Sequence, residues 1–421
     1  MLSRRELGLL LGVSLVPVPA CEPDTPGAAC SIVLDVEEDR ALVVVWSATA
    51  TELSVTAATM DGRVAGRWQA TFGESGLAVV DARGLAPATS YVLAIGLDDG
   101  RVLAPHVIVT APRADDPRPV RLAWSADIDP DPAYDSPIFE TLADQAAEVF
   151  VSLGDWPYAD NPPFPDTLDQ YRERHVMARS AGKLQRWLHG TSVRAILDDH
   201  EVRNDWDAGT YAADTARHVA ALQAWDEHFP RRPFASPPVR YQRWRWGAHV
   251  EGFLLDTRSH RSASADVDDA TKTMLGAGQR AWLLDGLAAS TATFKLVFTS
   301  VPLDFGHGVD HWAGFRTERA AIFDAIAAAG VTGVLFLSAD QHWFAAHEHA
   351  GGAREFQVGP LARAPAPLPV LRPGVLGRSA EYCFGVLDVS AGSLRVRALG
   401  ATGNVLWDET FTPELLTLRR S

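Results

Sequence analysis

Five apolar segments of this chain each end in aspartate, and in two of them a histidine follows the aspartate closely. They are Trp124–Asp127, Val149–Asp155, Ala195–His200, Phe253–Asp256 and Val334–His342. Such runs are typical of strands buried on both faces in α/β proteins, whose ligand sites lie beyond the carboxyl ends of the strands. Carboxylates gathered at one edge repel one another unless a positive group lies between them. The pattern therefore predicts an α/β fold with a metal cluster at one sheet edge.

The size and charge of the chain limit the classes of function. Its 421 residues are enough for a large core and a second domain, and 47% hydrophobic with 22% charged residues excludes a mainly disordered protein. The formal net charge of -15 leaves no basic stripe for a phosphate backbone. We therefore expect no nucleic-acid-coating role.

Residues 1–30 have the pattern of a targeting segment. Arg4 and Arg5 precede an apolar stretch over Leu7–Val18, which is too short to span a bilayer and resembles a twin-arginine export signal. The residues before Cys21 resemble a lipoprotein cleavage site, and lipidation there would anchor the protein to a membrane. An ordinary secretory signal with a chance cysteine fits equally well. Either way we expect an exported protein, whether periplasmic, secreted or anchored at the cell envelope.

Two further cysteines, Cys30 and Cys383, would remain after signal removal. In an oxidising compartment they could form a disulfide, or they could be two unrelated thiols. The sequence does not decide between these alternatives, and it leaves the oligomeric state open.

The chain divides into regions of different periodicity. Residues 31–112 contain short alternating segments separated by turns, which predict a small all-β sandwich, and residues 85–91 resemble the tyrosine-bearing turn of fibronectin type III domains. The polar residues 113–120 are predicted to be a linker. From 121 to 421, strand segments alternate with helical patterns, as in an α/β catalytic domain.

Six motifs make the chain similar to PhoD-like alkaline phosphatases over roughly residues 121–390. In order along the chain they are Gly154–Tyr158, Asp198–Trp206, Leu255–Arg258, Leu275–Gly276 with Gln279 and Trp282–Leu283, Trp312–Phe315 with Glu318–Arg319, and Ser338–His342. The family is a branch of the calcineurin-like metallophosphoesterases. The resemblance implies a four-layer fold, with two stacked mixed sheets flanked by helices and the sandwich in front. It also implies a site for two metals at the strand ends.

The resemblance implies four ligands for the first metal. One of them is a carboxylate that both metals share. Asp155 is the expected bridging ligand, because a carboxylate at a turn after a strand can reach two cations. Asp127, His342 and Tyr158 are expected to complete the first site. Tyrosine ligation favours ferric iron, as in relatives that use iron and calcium.

The second metal is expected on Asp199 and Asp340. An almost pure oxygen set suits hard cations such as calcium, magnesium or manganese. Ser300 occupies the region where wider metallophosphoesterases keep a metal-binding histidine, which loosens the ligand count. Two or more ions are therefore expected, with calcium, iron, manganese and zinc as the candidates.

Three further residues are expected to act on the substrate. His200, beside Asp199, is placed to protonate the leaving group or stabilise its charge. Arg258 could bind the non-bridging phosphate oxygens with its planar fork. Asn204 could contact the substrate or a water molecule.

These features favour an exported metal-dependent phosphohydrolase acting on phosphomonoesters, phosphodiesters or both. A phosphodiesterase directed at phospholipids is one alternative, suggested by the possible anchor at Cys21. A non-catalytic surface protein that binds calcium for its structure is another. The presence of His200 and Arg258 counts against the latter, because calcium binding needs neither residue.

Overall fold

The computed structural model describes residues 28–129, 136–234 and 238–420. Of the targeting segment predicted over residues 1–30, residues 1–27 lie outside the described residues, and with them the predicted lipidation site Cys21, whereas Ala29 and Cys30 already belong to a strand. Within those three ranges, no helix has both the length and the apolar character needed to cross a bilayer.

Twenty strands and seven α-helices lie in the described ranges. The strands are β1 (Ala29–Leu34), β2 (Arg40–Ser47), β3 (Glu52–Thr59), β4 (Val64–Thr71), β5 (Leu77–Arg83), β6 (Ser90–Leu97), β7 (His106–Val109), β8 (Val120–Ser125), β9 (Val149–Ser152), β10 (Ser192–Ala195), β11 (Gln242–Trp246), β12 (Val250–Leu254), β13 (Phe294–Phe298), β14 (Val334–Ser338), β15 (Phe344–Glu348), β16 (Arg354–Gln357), β17 (Val375–Ser379), β18 (Cys383–Val389), β19 (Leu394–Gly400) and β20 (Val405–Phe411). The helices are α1 (Ile138–Asp144), α2 (Leu168–Ser180), α3 (Gly182–Leu188), α4 (Ala208–Ala213), α5 (Thr215–His228), α6 (Gly276–Ala289) and α7 (Arg316–Ala328).

The strands form three sheets. The first has nine strands in the order β20-β19-β18-β8-β9-β10-β1-β2-β5, and the second has seven in the order β11-β12-β13-β14-β16-β15-β17. The third has four, ordered β4-β3-β6-β7. Strands β8, β9 and β10 are mutually parallel, as are β12, β13 and β14, so their carboxyl ends share an edge within each sheet. The predicted mixed α/β class is confirmed.

The two large sheets are stacked between helices. Successive strand residues face opposite sides of a sheet. Accordingly Val151 lies in the core shared by both sheets, whereas Phe150 packs among side chains of α1 and α3. In the second sheet, Leu296 belongs to the shared core and Val297 packs with residues of α6 and α7. The order helix, sheet, sheet, helix is the four-layer arrangement that the family resemblance implies.

The N-terminal strands contribute to two sheets. Strands β1, β2 and β5 extend the first sheet, while β3, β4, β6 and β7 form the third. Strand β1 runs parallel to β10, with Leu34 opposite Val193, and Asp35 N donates to Val193 O at 3.1 Å. The first sheet is thus continuous from the N-terminal strands to the strands that follow residue 120. The sandwich and its boundaries remain a prediction.

Cys30 and Cys383 are not joined. Cys30 lies in β1 and Cys383 in β18, which are separated in the first sheet by β8, β9 and β10. Four strand spacings amount to roughly 19 Å, far beyond the ~7 Å between Cα atoms that a disulfide permits. The disulfide alternative is therefore wrong, and the two residues are buried, separate thiols.

Candidate metal centre

The residues that follow the central strands turn their side chains toward one region. Asp127 follows β8, Asp155 follows β9, Asp199 lies after β10, and Asp340 and His342 follow β14. Except for Asp199, these residues have a left-handed backbone, with φ of 60° for Asp127, 55° for Asp155, 75° for Asp340 and 59° for His342. Residues other than glycine rarely adopt the left-handed conformation, because it costs roughly 1–3 kcal/mol per residue. Such backbone strain concentrates at functional sites.

The first group of ligand atoms comes from Asp127, Asp155 and His342, within 4.8 Å of one another. The hydroxyl of Tyr158 lies 3.1 Å from Asp127 Oδ1 and 2.7 Å from His342 Nε2. His342 Nδ1 is 2.8 Å from Ala364 O, so Nδ1 donates there and Nε2 keeps its lone pair for the site. The structure thus brings together all four residues predicted for the first metal.

The second group consists of Asp155, Asp198, Asp199 and Asp340, again within 4.8 Å. Asp155 is common to both groups, as a bridging ligand must be. Asp198 was not assigned a role from the sequence, although it adjoins Asp199 in a predicted motif.

The donor set fits cations. Four buried carboxylate oxygens have no hydrogen-bond partner in the described part of the chain: Asp127 Oδ2, Asp155 Oδ2, Asp198 Oδ2 and Asp199 Oδ1. Burial raises the pKa of Asp155 well above its usual range, and the charges of Asp199 and Asp198 raise it further. Burial likewise raises the pKa of Asp340. A bound cation would pair with these oxygens and keep the carboxylates ionised.

Arg258 requires a correction. Its side chain is 0% exposed, and its Nε donates to Asp198 Oδ1 at 2.6 Å while Nη1 donates to Asp310 Oδ2 at 2.6 Å. A guanidinium enclosed in this way does not reach a phosphate, so the predicted substrate contact is not supported. Ser300 stands in the region where wider metallophosphoesterases keep a metal-binding histidine. Its Oγ donates to Asp198 Oδ1 at 2.7 Å. Both residues position Asp198.

His200 is held from one side by a carboxylate. Its Nδ1 lies 2.8 Å from Asp160 Oδ1, and its ring centre is 4.1 Å from that of Tyr158. Burial lowers the pKa of His200, but the charge of Asp199 and the bond to Asp160 raise it to about 9. Nε2 is then the nitrogen that a leaving group can meet. The partner, Asp160, was missed from the sequence, where only its place two residues after Tyr158 pointed to it.

Asn204 lies on the exposed surface close to this pair. Its backbone N–H donates to Asp160 Oδ2 at 2.8 Å. A role of its side chain toward a substrate stays a prediction.

Arg363 is a second residue that the sequence analysis missed. Its guanidinium carbon lies 4.0 Å from the centre of the Tyr158 ring, and Nη1 is 3.1 Å from Asp129 Oδ2. About a third of its side chain, 34%, is exposed. It is thus an accessible cation beside the first ligand group, with no motif around it in the sequence to mark it.

Comparison with known sequences identifies relatives. The profile of the PhoD-like phosphatase family matches residues 132–367. Alkaline phosphatase D of Bacillus subtilis (strain 168) is 27% identical over 205 residues, covering 42% of this chain and 35% of that protein. The matched region therefore spans about a third of the curated relative.

Two solved structures share the architecture. A structure of PhoD covers 93% of this chain and 91% of its own, with a TM-score of 0.82 at 18% identity. The purple acid phosphatase PPD1 from seeds of yellow lupin (Lupinus luteus) covers 94% of this chain and 77% of its own, with a TM-score of 0.67 at 12% identity. At these identities the likeness concerns the fold, a metallophosphoesterase fold with an additional β region.

Proposed function

Because the chain belongs to the PhoD-like phosphatase family, we propose that it is a metal-dependent phosphohydrolase acting on phosphate monoesters, diesters or both. The observation that carries the proposal is the position of Asp155, which is common to the two ligand groups described above. Other oxygens of both groups lack a hydrogen-bond partner in the described chain. A structural calcium site needs no such shared carboxylate.

The ligand sets differ in chemistry. Asp127, Tyr158 and His342 with Asp155 would hold one ion, and the phenol–imidazole combination favours iron. Asp199 and Asp340, again with Asp155, would hold a hard cation such as calcium or manganese. Ions bound there would polarise the phosphoryl group and lower the pKa of a water molecule.

The chain's own residues would complete the reaction. His200, oriented by Asp160, would donate a proton from Nε2 to the departing alkoxide. Arg363, in place of the buried Arg258, would contact the non-bridging phosphate oxygens from the rim. The left-handed backbone at Asp127 and Asp155 would hold their carboxylates in position before substrate arrives.

We propose further that the protein is exported, on the basis of the arginine pair and apolar stretch before Cys21. Fractionation of cells producing the full chain would test this. Protein retained in the cytosol would contradict it.

The proposed activity is tested on protein purified without chelators. We expect elemental analysis to find about two metal ions per chain for the centre around Asp155, and the same sample to hydrolyse p-nitrophenyl phosphate, bis-p-nitrophenyl phosphate or both. The ratio of the two rates would assign the ester class. Bound calcium without turnover, even after iron, manganese or zinc is supplied, would instead favour a structural calcium site.

A further inference from the structure

Two histidines and a glutamate lie together on the second sheet, in a group that shares no residue with the metal centre. His347 of β15 is directly opposite Glu355 of β16 in the antiparallel register, so their side chains project from the same face. Phe344, Ala346 and Phe356 belong to the core between the sheets, which places the two alternating residues on the outer face. His349 follows β15, and its ring packs near Phe323 of α7.

These three side chains converge. His347, His349 and Glu355 each offer a ligand atom, and the three atoms lie within 4.8 Å of one another. The side chains of His349 and Glu355 are 5% and 2% exposed. Glu355 Oε1 accepts hydrogen bonds from Leu303 N at 2.8 Å and Ser338 Oγ at 2.5 Å. The protein thus fixes one oxygen of Glu355, while Oε2 lies 2.7 Å from His349 Nε2.

An ion pair between His349 and Glu355 does not account for the buried position of His347. Its ring centre lies 4.0 Å from that of His349, and the residue is only 3% exposed. Its Nδ1 is buried with no hydrogen-bond partner in the described chain. If the group were only a His349–Glu355 pair, this nitrogen would stay unsatisfied at a free-energy penalty. A cation between the three side chains would give it a partner.

Beside the group lies a cavity of about 250 Å³, lined by both histidines. It has room for water molecules, so a further ligand could come from solvent. Arg319 also lines it, but its guanidinium donates to Leu303 O and lies 3.8 Å from Asp304 Oδ1. Its charge is therefore partly compensated.

We propose that His347, His349 and Glu355 form a second, separate metal site that binds one zinc ion, with water from the cavity as the fourth ligand. Two imidazoles and a carboxylate are a ligand set that zinc accepts while keeping one position open. At zinc–ligand distances of about 2.0–2.1 Å, tetrahedral ligand atoms lie roughly 3.3 Å apart. His349 Nε2 and Glu355 Oε2 would therefore separate by about 0.6 Å from their present 2.7 Å. Ligands from β15, β16 and the segment between them would tie these strands together.

The test uses the full chain with the main centre removed by Asp127→Asn, Asp155→Asn and Asp340→Asn. After dialysis against zinc, we expect about one zinc per chain, and zinc K-edge absorption fitted by two imidazole nitrogens and oxygens at about 2.0 Å. Adding His347→Gln or Glu355→Gln should reduce bound zinc at least fivefold. Adding Glu74→Gln, at an exposed glutamate between β4 and β5, should not change it.

Failure to bind zinc in the triple variant would overturn the proposal. So would zinc retained unchanged after both His347→Gln and Glu355→Gln, or an absorption spectrum without imidazole. The triple variant keeps His347, His349 and Glu355. Its absorption spectrum therefore tests the proposed zinc site even if the His347→Gln or Glu355→Gln protein does not fold.

Discussion

The two oxygens of Asp160 hold both the imidazole of His200, at 2.8 Å from Nδ1, and the backbone N–H of Asn204, at 2.8 Å. Asp160→Asn keeps the shape but removes the charge that stabilises protonated His200. We expect kcat for phenyl phosphate to fall about 10- to 100-fold, as a general acid contributes up to ~10⁴-fold. The fall should be smaller for p-nitrophenyl phosphate, because nitrophenolate needs less protonation. An equal fall for both esters would contradict the role of His200.

The contact between His200 and Asp160 also predicts how activity depends on pH. Burial lowers the pKa of His200, while Asp199 and Asp160 raise it to about 9. A general acid works only while it is protonated, so activity should decline as pH rises through the pKa of His200. A cation bound to Asp199 would lower this pKa below 9. Asp160→Asn should lower the pKa and move the alkaline limb of the kcat profile to lower pH. Asp166→Asn, at an exposed ion pair with Arg217, should leave the limb in place.

The shared position of Asp155 predicts a loss of both ions when its charge is removed. For Asp155→Asn we expect fewer than one bound ion per chain, beyond any zinc held by His347, His349 and Glu355, and a fall in kcat/KM on the order of 10³-fold or more. Elemental analysis and ester kinetics on the same sample measure both. Asp169→Asn, at a side chain that is 82% exposed, is the matched control. An ion count in Asp155→Asn equal to that of the unchanged chain would exclude a bridging role.

Arg258 is expected to act on stability. Replacing it by methionine leaves Asp198 and Asp310 without their buried counter-charge, which should lower the free energy of unfolding by about 3–5 kcal/mol. Arg395→Met breaks an exposed pair with Asp408, which solvent screens, and should leave the free energy of unfolding nearly unchanged. Urea denaturation measures both. Unchanged stability with a raised KM would restore the substrate-binding role first predicted for Arg258.

Arg363 is expected to bind substrate. Arg363→Ala removes an accessible guanidinium beside Tyr158, so KM for p-nitrophenyl phosphate should rise about tenfold, roughly 1.4 kcal/mol, with kcat changed little. The diester carries less charge and should be affected less. Steady-state kinetics with both esters measure this. Arg378→Ala, at an exposed arginine that donates to Pro369 O, serves as control, and identical kinetics for both variants would remove Arg363 from the site.

The positions of the ligands could be predicted from the sequence because each follows a buried strand. Asp127, Asp155 and Asp340 come directly after long apolar segments, and parallel strands bring their ends to the same edge of a sheet. The segment after β14 also carries His342, and the family motifs added Tyr158. Local pattern and ordered motifs were therefore sufficient for this part of the site.

The residues that support the ligands could not be assigned in this way. Arg258 meets Asp198, 60 positions earlier, and Asp310, 52 positions later, so its burial depends on tertiary contacts that no local spacing records. Strand β1 was missed for a similar reason. Its first two residues fall within the predicted targeting segment, and its partner β10 begins more than 150 residues further along the chain.

The pairing of β1 with β10 has a consequence for any shortened form of the protein. Strand β10, which leads to Asp198 and Asp199, lies between β9 and β1. A chain starting after residue 112 would lack β1 and leave β10 as an edge strand, with backbone groups open to pairing with other molecules. The N-terminal strands thus protect the ligand-bearing part of the sheet against aggregation, whatever else they do.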